Sequence, residues 1–271
     1  MKKLLSAVLA GLILSAGLLL PSCDRNGGTE REVDVNISAL RLVEKNTLTV
    51  GMEIGYPPFE SFAEDGVTPV GFDVDLANAI GDKLGLSVSI VNTPWNTIFD
   101  GIGTEYDLVI SGIAITELRE ETLGFSEPYL TSSQCVVTAA DSELSLRSFE
   151  DLTRLRISVV EDTVSDDLIS RLEAEEALSA EIIRNMMIPQ CFDDLTQNRA
   201  DAVISDSTVA DAWAAKHPGL FRIAYRDTAS PKRLAAAMNP ENTALRDAVN
   251  EALRLLEEEG FLSENMEKWF G

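Results

Sequence analysis

The sequence predicts an α/β protein made of two similar units, and three observations lead there. From Thr47 onward, short strand-like apolar runs alternate with stretches of helical period, in the order strand, helix, strand, helix, strand. The same rhythm restarts near Leu155. At 271 residues, with 45% apolar and 25% charged residues, the chain is globular and long enough to bury a substantial core. Strand–helix–strand order implies parallel pairing with right-handed crossovers.

"TLTVGM" alternates Leu48, Val50 and Met52, as a half-buried strand does. "VDLANAIGDKLG" places Val74, Ala77, Ile80 and Leu84 on one helical face and ends on Gly85, a C-cap signal. "SVSIV" reads as a strand, "NTIFDGIG" as a helix and "DLVIS" as a strand. The segment "LTSSQCVVTAADSE" links the two units. In the second unit "LRISVV" is a strand, "TVSDDLISRLEAEEA" a helix, Ile182–Ile183 a short strand, and a helix begins near Cys191. "DAVIS" is a strand and "STVADAWAA" a helix. "RLAAAM" is a late strand, followed by the helices "NTALRDAVNEALRLLEEEG" and "LSENMEKWF".

The N-terminus stands apart. "MKK" and the apolar run Leu4–Leu20 have the form of a secretory signal, and "LPSC" resembles the lipobox of bacterial lipoproteins, which would make Cys23 the lipidated first residue of the mature chain. The expected organisation is a signal peptide over 1–22, a tether over 23–45, one lobe from 46–133 with 232–271, and a second lobe over 134–231. The remaining cysteines, Cys135 and Cys191, lie in apolar contexts and read as buried thiols. Two cysteines and one histidine, His217, have no metal-ligand spacing, so no metal or cofactor is expected. A net charge of -23 excludes a nucleic-acid partner, which requires a basic footprint.

In open α/β sheets ligands gather at the carboxyl ends of the strands, and clefts between lobes favour pockets. The residues just past each strand therefore form the candidate site. Glu53 and Tyr56 come after the first strand, Trp95 after the second, and "SGIAITELR" after the third, with Gly112, Ala114 and Arg119. Thr163 comes after the first strand of the second unit, and Asp206 after "DAVIS". An arginine grips a carboxylate bidentately and an aspartate takes an ammonium. Together they fit the head group of an α-amino acid.

The stretches "GYPPFES", "GFDVDLANAIGDKLG", "DLVISGIAITELREETLGFSEPY", "NRADAVISDS" and "EEGFLSENMEKWFG" resemble the amino-acid-binding proteins of ABC importers, solute-binding family 3. The resemblance implies the type II periplasmic-binding-protein fold: two lobes, each a sheet flanked by helices, joined by two hinge strands. It implies a monomer that closes on its ligand and docks on the importer's permease subunits, held to the outer face of the cytoplasmic membrane or in the periplasm. It also implies roles. Arg119 would hold the α-carboxylate with the N–H groups of Gly112 and Ala114; Asp206 would hold the ammonium; Tyr56 and Trp95 would sandwich the side chain; Thr163 would add a contact. Ala114 and Asp162 depart from the family pattern, which has Ser or Thr and Gly there. "MEIGYPPFES" is similar to arginine-binding members, and Glu53 stands where they carry an acid. This favours a basic ligand, arginine first. A polar, glutamine-like ligand is the alternative, and so is cyclohexadienyl dehydratase, an enzyme on the same scaffold.

Overall fold

A computed structural model describes residues 31–271. The expected signal peptide over 1–22 and the expected lipid site at Cys23 lie outside the described residues.

The strands are β1 (Thr47–Met52), β2 (Ser61–Phe62), β3 (Pro69–Val70), β4 (Ser87–Asn92), β5 (Leu108–Val109), β6 (Gly124–Phe125), β7 (Leu130–Ser132), β8 (Gln134–Ala139), β9 (Arg156–Val160), β10 (Glu181–Asn185), β11 (Ala202–Asp206), β12 (Phe221–Arg226), β13 (Lys232–Leu234) and β14 (Ala237–Met238). The helices are α1 (Phe72–Leu84), α2 (Glu117–Glu120), α3 (Val164–Ala174), α4 (Ile188–Thr196), α5 (Ser207–Lys216), α6 (Thr243–Glu258) and α7 (Phe261–Phe270).

Two five-stranded sheets form, in the orders β4-β1-β5-β14-β6 and β10-β9-β11-β8-β12. In the first, β1 runs parallel to β4, from Thr47 opposite Ser87 to Met52 opposite Asn92, and parallel to β5. In the second, β9 runs parallel to β10 and β11. Each sheet also contains one reversed strand: β14, antiparallel to β5 and β6, in the first, and β8, antiparallel to β11 and β12, in the second. β7 and β13 pair antiparallel where the chain passes from one sheet to the other and back, which makes them the two connecting strands.

Two of the expected elements need revision, and one strand is missing from the expected set. "NTIFDGIG" is not a helix. Trp95–Thr97 forms one 3-10 turn, and a series of tight turns comes after it. Gly103 sits at φ 80°, and a Cβ at Gly101 would come within 2.5 Å of the buried Tyr106 ring, so the segment wraps around that ring instead. "RLAAAM" is two strands, because the chain changes sheet inside it. β12 was not anticipated, although Phe221, Ile223 and Tyr225 alternate with Arg222, Ala224 and Arg226 as a strand's faces do.

Residues 31–45 lie against the first lobe, where a tether was expected. Leu40 is wholly buried, and its carbonyl accepts a hydrogen bond from Asn242 Nδ2 at 2.7 Å. Val43 N–H donates to Asp107. Val33, Val35 and Ile37 pack on the same core. Apolar side chains spaced along this strap, which includes one 3-10 turn at Ile37–Leu40, bury area without the period of a longer helix or strand.

Candidate functional site

β1, β5, β9 and β11 all end at one cavity. Its walls contain every residue singled out from the sequence: Glu53, Tyr56, Trp95, Gly112, Ala114, Arg119, Thr163 and Asp206. Parallel strands bring their carboxyl ends to one edge, so short loops far apart in sequence converge there.

Arg119 occupies the last turn of α2, and the Thr116 side chain caps that helix by accepting from Arg119 N–H. The guanidinium donates from Nη1 to the Ala114 carbonyl at 2.9 Å and lies 5.5 Å from the Trp95 ring and 5.3 Å from the Phe99 ring. Burial lowers its pKa, opposed by the charges of Asp167 and Asp206. Among the described residues no carboxylate lies within ion-pair distance of it, Glu120 and Glu121 included. A half-buried cation of this kind is costly to maintain without an anion, so the arrangement suits an incoming carboxylate.

Ala114 lies on the same wall. It pairs with Leu234 as an isolated bridge whose bonds run from Ile115 N–H and Ala235 N–H. Ala114 N–H itself has no acceptor among the described residues. Gly112 behaves differently from expectation. Its N–H donates to Asp73 Oδ2 at 2.6 Å, so it braces the turn instead of facing a ligand. Glycine is required there by φ 58° and by the Tyr56 ring, 3.3 Å from where a Cβ would sit.

Across the cleft, Asp206 is the N-terminal flank of α5 but makes no capping bond. Its carboxylate accepts from Tyr56 Oη at 2.6 Å and from Gln134 Nε2 at 2.7 Å. Burial raises its pKa, against the two hydrogen bonds and the Arg119 charge. Gln134 in turn accepts from Ser165 Oγ. Neither Gln134 nor Ser165 was anticipated; the available signal was Gln134's place at the start of the strand that leaves the hinge. Thr163 also departs from expectation: its hydroxyl donates to the Val160 carbonyl and caps α3. What the α3 terminus leaves free is backbone, since Thr163 and Val164 N–H have no acceptor among the described residues. Asp162, the departure from Gly, sits at φ 59°, a left-handed conformation that aspartate tolerates better than most residues.

Among the described residues two bonds cross the cleft away from the connecting strands: Tyr56 to Asp206, and Trp95 Nε1 to the Asp162 carbonyl at 3.2 Å. The Tyr56 ring stacks on Phe59 with centroids 5.6 Å apart.

Glu53 lies half-buried on the wall beside Tyr56 and Trp95. Burial pushes its carboxyl up to about 7, against a backbone hydrogen bond from Trp95. Behind it are two more acids, Glu60 and Asp73, both wholly buried. Ser111 Oγ accepts from Glu53 N–H at 3.1 Å and donates to Glu60 Oε1 at 2.5 Å. Asp73 accepts from Gly112 N–H and from Tyr129 Oη. Glu60 Oε2 and Asp73 Oδ1 have no partner among the described residues. Burial pushes Asp73 up to about 7, and burial together with the Asp73 charge holds Glu60 well above the usual range, so this cation-free pair retains a proton at neutral pH.

The cysteines expected to be buried thiols are free and buried, Cys135 pushed up by burial to about 12 and Cys191 to about 11.

A family model for bacterial extracellular solute-binding proteins, family 3, matches residues 48–271. The ABC transporter arginine-binding protein 1 of Escherichia coli K12 is 29% identical over 229 residues, covering 82% of this chain and 90% of that protein. A solved ancestral arginine-binding protein bound to arginine superposes with a TM-score of 0.77 at 31% identity, covering 83% of this chain and 99% of that one. Another, bound to glutamine, gives 0.76 at 31% identity, covering 84% and 99%. Cyclohexadienyl dehydratase of Pseudomonas aeruginosa is 26% identical over 231 residues, covering 84% of each chain.

Proposed function

The chain belongs to the bacterial extracellular solute-binding proteins of family 3, and we propose that it captures a basic amino acid, arginine foremost, for an ABC importer. The observation that carries this reading is the charge layout of one cavity. Arg119 and the Ala114 N–H face a carboxylate, Asp206 faces an ammonium, and Glu53 stands apart on the same lining with no cation beside it. With both carboxyls ionised, those three side chains carry one net negative charge, the complement of an amino acid with one net positive charge. Tyr56 and Trp95 offer ring faces to a guanidinium, a contact typically worth about 0.5–2 kcal/mol. The Tyr56–Asp206 and Trp95–Asp162 bonds support closure of the lobes around the ligand. In this reading Cys23 anchors the protein by lipid on the outer face of the cytoplasmic membrane, and it delivers its ligand to the permease as a monomer.

A thermal-shift panel of the twenty amino acids tests the reading. A ligand that binds the native state alone stabilises it by about 2.7 kcal/mol at one hundred times Kd. Arginine, lysine or histidine should give the largest shifts. Glutamine giving the largest shift, with none from the basic three, would establish the polar alternative. The related dehydratase motivates one control: incubation with prephenate or arogenate, where no turnover is expected.

A further inference from the structure

Glu53 differs from the other two charged groups of the cavity. Arg119 has the Ala114 carbonyl and two aromatic faces, and Asp206 has Tyr56 and Gln134. The Glu53 carboxyl, on the half-buried wall, has no cation partner among the described residues. Burial disfavours its charge, and the groups that face it come from several elements. Tyr56 and Glu60 come from its own loop, and Asp73 lies behind Glu60. From the neighbouring turns Trp95 offers a backbone N–H, and Ser111 Oγ is committed to Glu60. Across the cavity stand Asp206, with Arg119 at the carboxylate-binding end.

We propose that Glu53 makes capture of a cationic side chain an exchange of cation for proton: as the guanidinium or ammonium enters, the carboxyl gives its proton to the solvent, so pH sets the preference between a cationic amino acid and its neutral isostere. This rests on the basic-ligand reading and adds to it. The charge balance runs both ways. Neutral Glu53 leaves Arg119 and Asp206 cancelling, which suits a net-neutral amino acid; ionised Glu53 leaves a net negative cavity, which suits a net-positive one. With the empty site's carboxyl at about 7, arginine should release about 0.9 proton at pH 6 and about 0.1 at pH 8, and its Kd should weaken about tenfold from pH 8 to pH 6.

The experiment is calorimetric titration of the full chain with arginine and with citrulline, its neutral urea isostere. It is run at pH 6 and pH 8, each in two buffers of different ionisation enthalpy. The expected result is buffer-dependent heat for arginine at pH 6 that citrulline does not show, and an arginine-to-citrulline affinity ratio about tenfold larger at pH 8. In Glu53→Gln that ratio should lose its pH dependence. Arginine binding with a pH-independent ratio, or a ratio that stays pH-dependent in Glu53→Gln, overturns the exchange while leaving the basic-ligand reading intact. Arginine failing to bind at either pH overturns both.

Discussion

Both lobes bury acids, and they treat them in opposite ways. In the second lobe Asp194 is nearly wholly buried, yet it accepts from Ser158, Asn185 and Arg199 at 2.7–2.8 Å. Burial pushes its pKa up, but those bonds and the Arg199 charge outweigh it and hold the carboxyl below its usual range. In the first lobe Glu60 and Asp73 are wholly buried with no cation, and each keeps one oxygen unpartnered. Asp194 is a structural anion, tying α4 to β9 and β10. The Glu60–Asp73 pair sits beneath the ligand wall, holding Ser111 and Gly112, and through Ser111 the backbone of Glu53. The contrast locates the acids this protein leaves without a counter-charge: beneath the cavity wall of the first lobe, where a retained proton takes the place of a cation.

This contrast is open to several tests. The largest effect belongs to the cleft. Arg119→Ala should weaken binding of every amino acid in the panel by at least about 100-fold, because a charge-assisted pair at the carboxylate is lost and the ligand anion is left unpaired. Normal binding by this variant would remove Arg119 from the site. Next comes the second lobe. Asp194→Ala should destabilise the protein by about 3 kcal/mol, since it leaves Arg199, Asn185 and Ser158 without their acceptor. In differential scanning calorimetry that is a fall of about 6–12 °C. The order of ligands in the panel should not change.

The pH dependence of stability separates the lobes further. Glu53 and Asp73 bind protons more tightly folded than unfolded, with pKa values raised from 4.5 and 3.8 to about 7. Their contribution is therefore fully present in acid, below the unfolded values, and is lost as pH rises from about 4 to about 7. Asp194 has the opposite sign, and its contribution is lost as pH falls through its lowered pKa. Urea denaturation of the ligand-free protein at pH 5.5 and pH 8 should show lower stability at pH 8. Asp73→Asn should narrow that gap, and Asp194→Asn should leave it. An unchanged gap in Asp73→Asn would mean that the acid pair keeps no extra proton.

The smallest effect concerns closure. Tyr56→Phe removes one lobe-bridging hydrogen bond to a charged group, worth about 1.5–3 kcal/mol at most. Arginine should bind about tenfold more weakly, mainly through faster release in stopped-flow measurements. An unchanged release rate would show that closure does not depend on this bond.

Much of the fold was legible in the sequence because periodicity and punctuation are local. β1, α1 with its stop at Gly85, β9, β11 and α6 can be read from spacing alone. So can the placement of Glu53, Tyr56, Trp95, Arg119 and Asp206, since residues just past parallel strands must meet at one edge. Where the reading failed, the deciding contact lay outside the misread stretch. The Tyr106 ring turned "NTIFDGIG" into tight turns. A change of sheet split "RLAAAM". The first lobe's surface bound a segment with no period of its own.

The sequence by itself determined that this chain is a two-unit α/β protein with one cation and two acids at its strand ends, because those features depend on residue order. Which donors remain free was decided only by the tertiary structure. Gly112 N–H is taken by Asp73 and the Thr163 hydroxyl by the α3 cap, while Ala114 N–H stays open. Glu53 depends on the same level: a glutamate is acidic by its chemistry, but its hold on a proton comes from burial by other parts of the fold, against the Trp95 N–H.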